Sequence, residues 1–161
     1  MRYSLRKGFD FGLASGVITT LGLMLGLYAG THSAMVLVGG ILSIAIADSF
    51  SDALGIHISE EAVGKFTVKE IWEVTIATLI FKFLFAFSFL IPILLLPLSV
   101  AIIVSIIWGL LLLTIFSIYM ANVKKINPLI SVLEHVSIAV FVIVVTYYVG
   151  SWISSIFGYI K

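Results

Sequence analysis

Two carboxylates, four residues apart, interrupt one of the most apolar stretches of this sequence. Asp48 and Asp52 stand in the segment ADSFSDALGIH, and on an α-helix this spacing places both on one face together with Ser51. Stacked carboxylates repel each other unless a positive charge lies between them, and their hard oxygens suit a divalent cation. The pair therefore predicts a cation or proton site, with Ser15 and Ser51 as weaker oxygen ligands.

Lys82 offers a second interpretation of the same carboxylates. It lies within a later apolar stretch that runs the opposite way, at the depth predicted for Asp48. An aspartate or lysine at the centre of a membrane helix costs about 2.5–3.5 kcal/mol, so each needs a partner or a function. One lysine cannot fully neutralise two carboxylates. Two hypotheses stay open: a cation site with Lys82 as counter-charge, or a purely structural ion pair.

Other polar residues stand near the ends of the apolar stretches. Glu60, Glu61 and Glu73 could form a rim that raises the local cation concentration at a cytoplasmic mouth. Glu134 and His135 open the last apolar stretch, and because histidine titrates near neutral pH the two could carry protons. An ordinary interfacial Glu–His pair explains them equally well.

The amino-acid composition indicates whether this chain is surrounded by lipid or by water. Of its 161 residues, 61% are hydrophobic and 11% are charged, whereas soluble domains carry about 25% charged residues. Cysteine is absent, which excludes disulfides and thiolate metal sites. A net charge of +1 predicts no nucleic-acid partner. The apolar composition predicts an integral membrane protein. Because no catalytic motif stands out, we also predict that it is not an enzyme and has no tightly bound cofactor.

Five stretches are long enough to span a bilayer, which takes about 20 apolar residues. The predicted fold is an all-α integral membrane protein, a single domain over residues 1–161 with five transmembrane helices per protomer. Pro92 and Pro97 should separate the third span from the fourth and leave a tight hairpin over residues 92–99. The predicted spans are residues 9–30, 34–57, 72–95, 98–122 and 132–156.

The distribution of cations predicts the orientation in the cell membrane. Positive charges collect before the first span and in the loops that follow spans two and four, and Lys161 at the chain end is the cation of the opposite side. The positive-inside rule then places the N-terminus in the cytoplasm and the C-terminus outside. The first apolar stretch exceeds the roughly 7–15 residues of a signal-peptide core, so we expect a retained span.

Small residues follow one face of the predicted first helix. They permit close approach of another helix, in the same chain or in a second copy, and Gly22 and Gly26 form a small-xxx-small pair. A second reading has Ser15 and Thr19 lining a hydrated path beside that contact, and the two readings are compatible. The glycines of this face are Gly12, Gly16, Gly22, Gly26 and Gly30.

Three segments resemble the vacuolar iron transporter family. FGLASGVITTLGLMLGL resembles its first helix, GGILSIAIADSFSDALGIHISEE its second, and VVTYYVGSWI its last. The resemblance implies a homodimer of five-span protomers that exports ferrous or manganous ion, commonly in exchange for protons. It also implies a path between the protomers that is lined by the first two helices.

The chain departs from the family pattern at the implied metal path. Ser15-Gly16 stands where the family usually has Asp-Gly, and Ser51-Asp52 where it usually has Ser-Met. The acidic cytoplasmic helical domain of many members is missing, so the chain resembles a short prokaryotic-type member. Two explanations stay open: the aspartate has moved from the first helix to the second with the site preserved, or the substrate has shifted toward harder ions such as Mn²⁺, Mg²⁺ or Ca²⁺.

Two functions from different classes follow. The leading hypothesis is a divalent metal cation transporter that works as a homodimer in the bilayer, with the cation as its substrate. The alternative is a non-transporting membrane scaffold or partner subunit, in which aspartate and Lys82 form a structural pair.

Overall fold

The computed structural model describes residues 2–158, which are all α-helical apart from short connections. Lys161, the cation predicted for the outer side, lies outside the described residues. The elements in chain order are α1 (Tyr3–Thr31), α2 (Ala34–Val63), α3 (Val68–Ser88), α4 (Leu90–Leu95), α5 (Leu98–Lys124) and α6 (Pro128–Phe157).

Five helical segments are long and apolar enough to cross a membrane: α1, α2, α3 together with α4, α5 and α6. Each contains 27 to 30 residues, more than the roughly 20 that a bilayer requires. Large apolar side chains remain exposed on them, among them Phe50 at 62%, Trp72 at 52% and Phe141 at 68%. Such a surface suits lipid. The predicted all-α fold with five membrane-spanning helices is confirmed, while its orientation remains a prediction.

Local sequence signals set several helix ends. The second helix continues beyond the predicted span of residues 34–57 to Val63, and it is followed by Gly64, whose φ of +65° favours glycine. At the start of α3, Thr67 and Glu70 form a reciprocal capping box. At the start of α6, the Asn127 side chain accepts a hydrogen bond from the Leu129 N–H at 2.9 Å.

The predicted break at Pro92 is wrong in position, and the hairpin is shorter than residues 92–99. Pro92 lies inside α4, and the helix is interrupted earlier, at Phe89. Because proline has no N–H, Pro92 cannot donate to the carbonyl of Ser88 four residues before it, and α3 ends at Ser88. The chain turns at Leu96 and Pro97.

The described residues divide into two compact units. The first is formed within Met1–Thr20 and Ile41–Leu90, and the second within Leu21–Gly40 and Ile91–Lys161. Each unit has its own buried apolar residues. Val17, Ala45 and Val74 are fully buried in the first, and Leu37 and Ala121 in the second.

In the first unit, glycines of α1 pack directly against α3. A Cβ added at Gly12 would lie 2.9 Å from both the Lys82 nitrogen and the Thr78 carbonyl oxygen. A Cβ at Gly16 would lie 2.9 Å from the Lys82 carbonyl oxygen. Since both neighbours are backbone atoms that cannot swing aside, glycine is what permits this contact.

In the second unit, the remaining glycines of the predicted face pack against α6. A Cβ at Gly22 would lie 2.8 Å from a methyl carbon of Val142, and one at Gly26 3.4 Å from the Thr146 carbonyl oxygen. Gly30 lies similarly close to Gly150, with 3.4 Å from its Cβ position to the carbonyl oxygen. The glycine face of α1 is therefore used for helix packing within the chain.

Candidate functional site

The first unit contains a fully buried lysine. Lys82 on α3 is 1% exposed, and its stem lies against α1, where the Cβ position of Gly16 is 3.3 Å from Lys82 Cγ. A side chain at Gly16 would occupy the space that the lysine stem now fills. The glycine packing of α1 and the placement of this cation are thus one arrangement.

Three oxygen atoms surround the Lys82 ammonium group. Lys82 Nζ donates hydrogen bonds to Ser15 Oγ at 2.9 Å and to Asp52 Oδ2, and it lies 2.5 Å from Asp48 Oδ2 in an ion pair. Ser15 in turn donates to Asp52 Oδ2 at 2.6 Å. An ammonium group has three N–H donors. Two of them are used in these hydrogen bonds, while the buried Asp48 Oδ2 accepts no hydrogen bond among the described residues. We call Ser15, Asp48, Asp52 and Lys82 the Asp–Lys centre.

The charges of the Asp–Lys centre do not cancel when all its groups are ionised. Two carboxylates and one ammonium leave a net charge of −1. Lys82 is enclosed, whereas the Asp48 and Asp52 side chains are 28% and 23% exposed. The excess negative charge therefore lies on the outer side of the centre, where another cation could reach it.

The structure brings together three of the four residues predicted as cation ligands. Ser15, Asp48 and Asp52 meet around Lys82, while Ser51 is exposed and makes no hydrogen bond to another described residue. Within residues 2–158, no group of three or more histidine and acidic side chains is arranged to hold a metal ion. The oxygens of the centre suit a hard cation, but the space between them holds the lysine ammonium.

The predicted glutamate rim is largely paired with the basic start of the chain. Glu60 is buried at 4% exposure and its Oε1 lies 2.5 Å from Lys7 Nζ. Glu73 accepts hydrogen bonds from Arg2 at 2.8 Å and from Ser4 at 2.6 Å. The third glutamate of the rim, Glu61, is exposed. Of these three glutamates, only Glu61 lacks an ion pair with another described residue.

The predicted proton carriers Glu134 and His135 belong to the second unit. Glu134 is exposed, and His135 Nδ1 lies 2.8 Å from Ser117 Oγ. Ser117 already donates its single proton to the Leu113 carbonyl at 2.5 Å. As long as Ser117 keeps that bond, its oxygen accepts from the ring, an arrangement that corresponds to the Nδ1–H tautomer of His135 with Nε2 as an acceptor.

The first unit contains an equivalent histidine, His57, which was not predicted as a site residue. His57 Nδ1 lies 2.8 Å from Thr75 Oγ1, and Thr75 donates to the Ile71 carbonyl at 2.8 Å. Trp72 packs edge-on against the His57 ring, with centroids 4.8 Å apart. The signal that could have found it is the separation of 18 residues between histidine and hydroxyl, which also separates Ser117 from His135.

Comparisons of the chain with protein-family models, with curated proteins and with solved structures found no match. The fold and composition define the class of protein: a multi-pass α-helical membrane protein with a buried lysine that contacts two aspartates.

Proposed function

We propose that the chain is a divalent cation transporter of the type found in the vacuolar iron transporter family, which exports an ion such as Fe²⁺ or Mn²⁺ and works as a homodimer. The observation that carries this proposal is the Asp–Lys centre. Two partly exposed carboxylates share one internal counter-charge, so a net negative site persists within a segment long enough to span a membrane. Ionisable groups at such depth are functional candidates.

In this proposal Lys82 is a tethered counter-charge that an incoming cation displaces. Without a cation, the ammonium prevents two carboxylates from facing each other unscreened in a medium of low dielectric constant. A dication that approaches the exposed side of Asp48 and Asp52 gains two carboxylate ligands and pushes Lys82 aside on its flexible stem. The return of Lys82 then expels the ion. Transport needs such release, because a site that binds too tightly does not conduct.

A stripe of small residues on α2 supports the homodimer. Five exposed small residues recur at every fourth position, and at Gly55 a Cβ would meet nothing within 4 Å. Bulky exposed residues stand beside it, including Phe50 at 62% and Leu54 at 60%. Membrane helices pack closely through such small-xxx-small surfaces. The small residues are Ser43, Ala47, Ser51, Gly55 and Ser59.

This stripe of small residues lies next to Asp48 and Asp52, both in the sequence and on the surface of α2. Asp48 and Asp52 directly follow Ala47 and Ser51, so they are a rotation of about 100° away on the same helix. A dimer formed through α2 would hold the carboxylates of both copies near the joint surface. That arrangement agrees with a path lined by the first two helices, as the family resemblance implies.

The test of the site is cation flux into proteoliposomes. Fe²⁺, Mn²⁺, Mg²⁺ and Ca²⁺ are supplied in turn to the wild type and to D48N and D52N. We expect flux of at least one of these ions in the wild type and its loss in both variants, while K65Q, which neutralises an exposed charge outside the centre and the glutamate rim, keeps most of it. Wild-type rates in both asparagine variants would show that the aspartates do not carry the ion.

A second candidate function is a membrane scaffold in which the Asp–Lys centre is purely structural. The observation that favours it is that Lys82 already has three oxygen partners. The scaffold predicts that no divalent cation raises the melting temperature of the purified protein. Transport predicts a selective rise for the ion that is carried, since binding to the folded state stabilises it in proportion to RT ln(1 + [L]/Kd).

A further inference from the structure

The imidazole of His57 is held through one of its nitrogens and leaves the other one accessible to a ligand. Nδ1 lies 2.8 Å from Thr75 Oγ1, and the Thr75 hydroxyl donates to the Ile71 carbonyl at 2.8 Å. As long as that bond is kept, Thr75 accepts from the ring, so Nδ1 carries the proton and Nε2 keeps its lone pair. Trp72 packs edge-on against the same ring. A neutral imidazole oriented through its other nitrogen is the form in which histidine binds metal ions.

Glu61 follows His57 by four residues on the same helix. Because α2 continues to Val63, both residues lie within regular helix, and Cβ atoms at this spacing are about 5–6 Å apart on one face. His57 is half-buried, whereas Glu61 is exposed and forms no ion pair with another described residue. Its carboxylate can therefore turn toward the ring, so that both side chains bind one ion. Metal-binding helices use this four-residue spacing to present two ligands, as in the HExxH motif.

The other charged residues between positions 58 and 73 fall into two sets. The first set consists of glutamates that already have partners within the protein: Glu60 with Lys7, Glu70 with Thr67, and Glu73 with Arg2 and Ser4. The second set consists of lysines that lie beyond the end of α2: Lys65 and Lys69. The chain turns at Gly64, with φ of +65°, so these lysines do not continue the helix face of His57 and Glu61. Glu61 is therefore the carboxylate of this segment that no described residue binds.

We propose that His57 Nε2 and the Glu61 carboxylate bind a transition-metal dication, with water completing its coordination. The site is separate from the Asp–Lys centre, since His57 lies five residues after Asp52 and about 140° further round the helix. An imidazole nitrogen suits ions such as Fe²⁺ and Zn²⁺, whereas Mg²⁺ and Ca²⁺ prefer oxygen ligands alone. Only the role of this site in collecting ions for transport rests on the proposed function. Two protein ligands permit the ready release that such a role requires.

The test follows the ring nitrogens of labelled histidine by NMR while Zn²⁺ is added to the detergent-purified full chain, prepared without a histidine tag. Coordination changes the shift of Nε2 and leaves the proton on Nδ1, so the signal reports the ligand atom itself. We expect a saturable change at His57 with Zn²⁺ and none with Mg²⁺ at the same concentration. His135 is the internal control, because Ser117 contacts its Nδ1 in the same way while Ala139, which has no ligand group, lies four residues later. It should not respond at concentrations that saturate His57.

Substitutions of the second ligand and of the orienting hydroxyl test how the ion is held. T75V should raise the half-saturating Zn²⁺ concentration by about 10–100-fold, and E61Q at least as much. E134Q, which removes an exposed glutamate next to the control histidine, should leave it unchanged, and so should D48N. No response of His57, an equal response of the control histidine, or an unchanged midpoint in E61Q or T75V would overturn the proposal. So would a midpoint that moves in D48N alone, since the ion would then lie at the Asp–Lys centre. Because binding is measured without transport, a failure of cation flux does not affect this result.

Discussion

Lys82 Nζ lies 2.5 Å from Asp48 Oδ2, so a fully enclosed lysine of α3 is paired with an aspartate of α2 whose side chain is 28% exposed. The same ammonium also donates to Asp52 and Ser15. The positive charge is thus held inside and the negative charges lie further out. This arrangement of an enclosed lysine and partly exposed aspartates determines how substitutions of these residues should change the melting temperature.

Removal of the internal cation should destabilise the protein strongly. In K82M the two aspartates lose their shared partner, and the cost of breaking a buried ion pair is about 3–5 kcal/mol. We expect a large fall in melting temperature in detergent. K65M removes an exposed lysine and should change it little. In the double variant K82M/D52N one carboxylate is neutral, so part of the loss should be recovered. An unchanged melting temperature in K82M would show that the ion pairs contribute nothing to stability.

The two aspartates should differ in their effect on stability. Asp52 Oδ2 accepts from both Lys82 and Ser15, whereas Asp48 makes only the ion pair. D52N should therefore lower the melting temperature more than D48N, by an amount that corresponds to about 1–2 kcal/mol for the additional hydrogen bonds. S15A should reproduce part of the D52N effect and add little to it in a double variant. The reverse order of D48N and D52N would contradict this geometry.

Glycines that face α3 and glycines that face outward should respond oppositely to alanine. G16A places a methyl group 2.9 Å from a backbone oxygen, and such overpacking costs about 1–3 kcal/mol. Gly55 has open space, so G55A should stabilise the helix by about 0.5–1 kcal/mol. Thermal unfolding of the two variants measures both signs. A stabilised G16A would refute the close contact between α1 and α3.

A large side chain on the small-residue stripe of α2 should change the oligomeric state without unfolding the protein. G55L adds a large side chain where nothing lies within 4 Å, so the monomer should tolerate it. If the small residues join two copies, the variant should shift the protein from dimer to monomer, as measured by light scattering of the purified sample. S137L, on the exposed surface of α6, serves as the control and should not. A wild-type dimer that G55L leaves intact would rule out this face.

Both membrane histidines should carry their proton on Nδ1 when neutral. The hydroxyl groups of Thr75 and Ser117 donate to backbone carbonyls. As long as those bonds are kept, the hydroxyl oxygens accept from the rings of His57 and His135. Nitrogen NMR shifts of labelled histidine distinguish the tautomers. S117A removes the acceptor and should abolish the preference at His135 while leaving His57 unchanged. A dominant Nε2–H form in the wild type would contradict both contacts.

The Asp–Lys centre could be predicted from the sequence because few partners are available to a charged side chain within a membrane span. Residues that face lipid cannot be ionised cheaply, so Asp48, Asp52 and Lys82 had few partners besides each other. Matching depths on antiparallel helices made their meeting predictable. Ser15 joined them as predicted, because the neighbouring Gly16 lets α1 approach α3 closely.

Features near the ends of the helices were harder to predict. Glu60 and Glu73 read as a cation-collecting rim, but Lys7 and Arg2 reach them, since long flexible side chains can bridge elements whose separation a sequence does not state. Ser51 shares a face with the aspartates on a helical wheel, yet only the structure shows that it lies beyond the edge of the contact. The position of the proline break depended on a hydrogen bond four residues upstream.

The three-way bonding of Lys82 also has an evolutionary consequence. Replacement of Lys82 by an uncharged residue would leave two carboxylates without their shared counter-charge, so such a change should arrive together with the loss of a carboxylate. A diverged descendant of this gene that has replaced Lys82 by an uncharged residue would be expected to have replaced an aspartate as well, and joint inheritance of these positions would be visible in any collection of its descendants.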